Sequence, residues 1–135
     1  MRYLVIAFAL AATPAAAQNV VYQGALNCEA APSANIQASN ARATVTRTGN
    51  QVLFERPIYN QQTRQMIGRE SGAGTLDGGR FTIQTEGNFG GNTMRGRYEG
   101  TLSDAEVKLT GTRQWTLRGG VGNQPCSATF RPQRG

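Results

Sequence analysis

The chain of 135 residues carries 14 basic and 8 acidic side chains, a net charge of +6, and no histidine. Without histidine there is no Ser–His or Cys–His nucleophile pair and no ligand set for an ordinary zinc sphere. The length suits one domain with a single core.

Residues 1–17 read as a secretory signal peptide. Met1-Arg2 is a short basic start, Leu4–Ala12 an apolar run too short to cross a bilayer, and Ala15–Ala17 an A-x-A site cut before Gln18. The mature chain, residues 18–135, is expected to be periplasmic or secreted, which excludes intracellular nucleic acid as a partner. It loses Arg2, so +6 becomes +5, and every basic residue but Lys108 is arginine. That surplus fits either a coding bias spread over a wet surface or an anionic partner, such as an envelope lipid or glycan. Cys28 and Cys126 are the only cysteines; in an exported chain the pair predicts one disulfide and no metal site.

Strand signals follow at short intervals. Val20–Cys28 places Tyr22, Gly24, Leu26 and Cys28 on one face; Glu29–Asn40 is a polar stretch, open or carrying one helical turn; Ala41–Arg47 alternates around Ala43 and Val45. Val52–Tyr59 resumes as strand with an ambiguous face, and Pro57 marks an edge or a bulge. After the polar loop Asn60–Gln65, Gly68, Glu70, Gly72, Gly74 and Leu76 share a face. Asp77-Gly78 then supplies a hairpin turn that pairs Phe81 with Gly74 and Ile83 with Gly72. Phe81–Phe89, Thr93–Leu102 and Val107–Leu117 continue with apolar sets on odd, even and odd numbers. Antiparallel pairing with odd residue sums therefore keeps one dry face across three hairpins. A Gly-rich loop, RGGVGNQP, leads to a last strand Cys126–Arg131. GTLDGGRFTIQTEG and GTLSDAEVKLTGTR echo one another within this meander and read as architecture.

About eight short strands joined by hairpins predict an all-β domain. A disulfide between inward positions of the first and last strands would close the meander into a soluble barrel; a β-sandwich is the alternative. Outward Arg80, Glu86, Arg95, Arg97, Glu99 and Lys108 exclude a lipid-facing wall.

In architecture alone the chain resembles small exported barrels such as avidin-like proteins, lipocalins and bacterial protease or lysozyme inhibitors. It lacks the lipocalin G-x-W near the start, and one tryptophan cannot form an avidin-like aromatic cage. No nucleophile elbow, Walker loop or dinucleotide fingerprint occurs, so neither catalysis nor a cofactor is expected. The exceptions on the dry face are Arg113 and Glu70. Three fates are open to them: reaching solvent at strand ends, pairing across the interior, or lining a pocket. In the pocket Arg113 would hold an anionic group between Trp115 and Tyr98, with Tyr22 also lining the cavity. The expected role is a non-catalytic binding module for a small anionic ligand or envelope component. The alternative is an inhibitor or interaction module that meets a protein partner through Glu29–Asn40 or Asn60–Gln65.

Overall fold

The structure is a computed structural model that describes residues 18–60, 62–89, 91–117 and 120–133. The signal peptide expected over residues 1–17 lies outside the described residues. Eight strands run in chain order: β1 Asn19–Cys28, β2 Ser39–Thr48, β3 Gln51–Tyr59, β4 Met66–Thr75, β5 Arg80–Phe89, β6 Asn92–Leu102, β7 Val107–Leu117 and β8 Gly120–Pro132. Each pairs antiparallel with the next, and β8 pairs with β1, so the sheet is a closed barrel rather than a sandwich.

Register explains why one face stays inside around the whole circuit. Inward positions are even in β1, odd in β2, even in β3 and β4, odd in β5, even in β6, odd in β7 and even in β8. Neighbours of opposite parity pair with odd sums, as in Tyr98↔Gly111; neighbours of like parity pair with even sums, as in Phe54↔Gly72 and Leu26↔Ala128. Because the side-chain period is two, any one-residue slip would turn a strand inside out. Tyr22, Leu26, Val45, Phe54, Ile83, Leu109 and Phe130 thereby fill the interior. Phe54 meets Tyr98 at 5.4 Å between ring centroids and Phe130 edge-on at 6.5 Å. The outward Arg80, Glu86, Arg95, Arg97, Glu99 and Lys108 are exposed. The ion pairs Arg95–Glu86 (3.8 Å) and Lys108–Glu106 (3.6 Å) lie on that wet wall, where such pairs add little stability. Among the described residues no helix is long and apolar enough to cross a membrane.

Three local expectations are corrected. The β4–β5 hairpin turns on Gly78-Gly79, both at positive φ (57° and 79°), with Asp77 bridged to Arg80. A two-residue turn with positive φ at both positions suits two glycines better than Asp-Gly. The ladder consequently shifts by two residues: Gly72 faces Thr85, not Ile83. A shift of two preserves the faces, so the parity argument is unaffected. β8 starts at Gly120, making strand of most of the Gly-rich segment, because Gly120–Pro125 pair with Thr112–Leu117 of β7. The segment after β1 carries one helical turn, a 3-10 turn at Pro32–Ala34, which is one of the two forms expected for it, whereas β2 begins at Ser39 rather than Ala41. Pro57 marks an edge: it stays in register opposite Arg69 but lies beyond Glu55, the last β3 residue that β2 pairs. The bulge falls on β4, where Ile58 pairs with Gly68 and Tyr59 with Met66, leaving Ile67 as the extra residue.

Cys28 and Cys126 face each other across the β1–β8 seam and are bonded.

Candidate functional site

Glu70 on β4 lies inside the barrel with no solvent exposure, and four donors converge on it. Arg56 Nε on β3 donates to Oε1 at 2.9 Å, and Arg113 Nη2 on β7 reaches the same oxygen at 3.2 Å. Thr85 Oγ1 on β5 and Tyr98 Oη on β6 donate to Oε2 at 2.6 and 2.7 Å. Four strands, β3, β5, β6 and β7, therefore each place a donor on the carboxylate that β4 carries. Closure brings Arg113 to Glu70 from a non-adjacent strand, which settles the ion-pair question left open by the sequence. Inward glycines make the room. A Cβ at Gly96 would strike the Thr85 hydroxyl and the Tyr98 ring (2.6 Å to its nearest carbon). Gly96→Ala is expected to destabilise the protein by about 1–3 kcal/mol through overpacking, read as a fall in urea midpoint.

Charge at the centre does not balance. Two guanidiniums, Arg56 at 5% and Arg113 at 1% exposure, share one carboxylate, so the cluster carries 2 − 1 = +1 away from bulk water. Hydrogen bonding shows the same shortage of acceptors. Arg113 Nε is buried with no acceptor among the described residues. Among the described residues Arg56 Nη2 meets the Met94 thioether at 3.7 Å, a weak acceptor. The Arg113 guanidinium also stands 5.7 Å from the Trp115 ring centroid, within cation–π range.

These charges fix the titration of the group. Burial works to raise the Glu70 pKa, but Arg113 and Arg56, helped by the Thr85 and Tyr98 hydroxyls, hold it below the usual carboxylate value. Burial raises the Tyr98 pKa, and the Glu70 charge raises it further, so the phenol stays a donor. Burial lowers the Arg56 pKa, as does Arg113, against the opposing pull of Glu70. The depressed Glu70 pKa stabilises the fold at every pH above the unfolded carboxylate's value, and this contribution is lost as pH falls through the folded value. Urea midpoints of wild type should therefore drop on the acid side more steeply than those of Glu70→Gln. Parallel profiles would mean that Glu70 does not titrate with the fold.

Above the two arginines the barrel opens. A cavity of about 660 Å³ has Arg56, Arg113, Trp115 and Gln124 in its lining. Ser39, Asn40 and Arg42 line it from the β2 side, and Pro57, Ile58 and Tyr59 from β3. Gln124 anchors the rim. It accepts the Trp115 indole N–H at 2.6 Å and donates to the carbonyls of Glu29 (2.8 Å) and Gln37 (3.2 Å), holding both ends of the β1–β2 loop. A wider groove of about 790 Å³, lined by Thr82, Glu99 and Lys108 among others, crosses the wall of β5–β7 and includes none of the cluster.

Of the residues singled out from sequence, Arg113, Glu70 and Tyr98 come together and Trp115 adjoins them. Tyr22 lies elsewhere: its hydroxyl donates to the Ser103 carbonyl (2.9 Å) in the β6–β7 loop, at the opposite end of the barrel. Tyr98 donates to Glu70 beneath the arginines, so it does not flank the cavity opposite Trp115. Sequence reasoning missed Arg56 and Gln124. Both sit on the inward parity of their strands, Arg56 with Val52, Phe54 and Ile58, Gln124 with Gly122 and Cys126. In β3 the outward Leu53 and Tyr59 are also apolar and hid the pattern.

Comparison with known proteins gives no match to a family model, to a curated protein or to a solved structure. The chemistry of the site is read from its own geometry.

Proposed function

We propose that this is an exported, non-catalytic barrel that binds a small anion in its mouth. The observation that carries the reading is the acceptor deficit: among the described residues a buried net charge of +1, with no acceptor for Arg113 Nε, borders an open cavity. A carboxylate or phosphate there would supply the missing negative charge and acceptors, and bidentate guanidinium geometry suits either group. The volume lies within the range of small-molecule sites. Glu70 is poorly suited to acid–base chemistry. Its oxygens already accept four hydrogen bonds, and two adjacent cations disfavour its protonated form. An envelope glycan or lipid headgroup offers the same anionic chemistry.

Native mass spectrometry of protein taken from its own periplasm tests this reading. The expected result is a reproducible adduct that Arg113→Gln loses while the variant keeps a wild-type circular dichroism spectrum. No adduct, together with no thermal shift from acetate or phosphate, would overturn it.

One observation favours the alternative of a protein-binding module. Tyr59, Met66 and Ile67, exposed at 56%, 55% and 42%, sit beside the Asn60–Gln65 loop as an apolar cluster. A partner docked there would lose affinity in Met66→Ser and be indifferent to Arg113→Gln.

A further inference from the structure

The two walls above the arginines differ in chemistry. On the β2 side Ser39, Asn40 and Arg42 are polar around Ala41, whereas Ile58 of β3 and Trp115 of β7 face the cavity and the β1–β2 loop adds Ile36. Ile58, 8% exposed, is the apolar residue that β3 turns inward at this level, and Ile36 and Trp115 are half-buried above it. Trp115 turns its indole N–H to Gln124. A bare inorganic anion would leave this wall uncovered. An apolar group extending from the anion would cover it, with the head at the bottom and the tail toward the rim.

We infer that the ligand is a freely diffusing anionic amphiphile. Its carboxylate or phosphate head meets Arg56 and Arg113, and its acyl or aryl tail lies along Ile36, Ile58 and Trp115. This rests on the anion reading above and adds the tail. The head site lies below the rim, with Arg113 1% exposed, so a headgroup fixed in a bilayer plane would not reach it without leaving the membrane. The cation at the bottom makes the site selective for charge, and the apolar wall makes it selective for chain length. Each methylene that leaves water is worth about fourfold in affinity at full burial, so a half-covered tail still separates long from short acids strongly.

Titration calorimetry on the mature protein with acetate, decanoate and decanol, all below their aggregation limits, tests the two parts separately. Decanoate should bind about 100-fold more tightly than acetate, and decanol at least tenfold more weakly than decanoate. Ile36→Ser, a half-buried position in the β1–β2 loop, should shrink the decanoate-to-acetate ratio severalfold, whereas Arg113→Gln should weaken both acids. Equal affinities for acetate and decanoate would overturn the tail while the anion site stands. Equal affinities for decanol and decanoate would overturn the anionic head, and with it the anion reading. Binding only to phosphatidylglycerol-containing vesicles, with none to soluble decanoate, would overturn the free amphiphile.

Discussion

Glu70→Gln is expected to lower the free energy of unfolding by about 3–5 kcal/mol, the range for leaving buried charge without its counterion. The amide keeps the shape of the carboxylate, so cavity formation is not the cause. The buried charge rises from +1 to +2, with Arg56 and Arg113 both still desolvated. Thr85 and Tyr98 also exchange a charged acceptor for a neutral one. Two companion measurements separate this cause from simple misfolding. Acetate should raise the urea midpoint of Glu70→Gln more than that of wild type, because it restores a carboxylate between the guanidiniums. The triple variant Arg56→Met, Glu70→Leu, Arg113→Met should recover most of the lost stability, since apolar residues of similar volume often match or exceed a buried ion group. A loss under about 1 kcal/mol in the single variant would show that water already screens the pair.

That contrast bears on why the cluster is there. If an apolar triple variant is as stable as wild type, the cluster is not needed to fill the barrel, and its charge must serve something else. An arrangement built only for stability would balance its charges. This one holds an extra guanidinium, and the spare donor is Arg113 Nε, in a residue that lines the cavity. The acceptor deficit is thus an argument about function as well as about packing.

The fold was legible because alternation is a physical record of which side of a sheet is wet. From Met66 to Leu117 the parity of apolar positions alone places the strand faces correctly, even where the turn was set one residue away and the pairing two. Glu70 and Arg113 were legible as exceptions to that pattern. Their contact was not, because they lie on non-adjacent strands and only barrel closure sets the distance between them. Arg56 was hidden by the exposed apolar Leu53 and Tyr59 on the other face of β3. Gln124 was hidden by glycines that read as loop. Gly120 and Gly122 serve instead as strand, with Ala34 and Ile36 packed where a side chain at Gly122 would lie. Tyr22 was assigned to the cavity because parity reports which face a residue is on, and not how far along the barrel it sits.

Replacing both cysteines, Cys28→Ser with Cys126→Ser, is the second change expected to have a large effect, about 2–5 kcal/mol of stability. The bond joins residues 98 apart, and a loop of that length places the expected loss near the top of the range. It also clamps the costliest pairing in the barrel. Each of the other strand pairs is consecutive in the chain, while β1 and β8 must find each other across nearly all of it. Denaturant titrations should show a lower midpoint for the double serine variant than for oxidised wild type, with a steeper slope because its unfolded chain is no longer closed into a loop. The effect should also reach the mouth. Cys28 precedes Glu29, whose carbonyl accepts from Gln124, and Gln124 stands two residues from Cys126. Freeing the seam loosens the Gln124 anchor that holds both the β1–β2 loop and the Trp115 indole. Decanoate affinity should therefore fall in the double serine variant even at temperatures where it is fully folded. Unchanged affinity alongside the lost stability would mean that the β1–β8 hydrogen-bond ladder alone positions the mouth, and that the disulfide acts only on the unfolded chain.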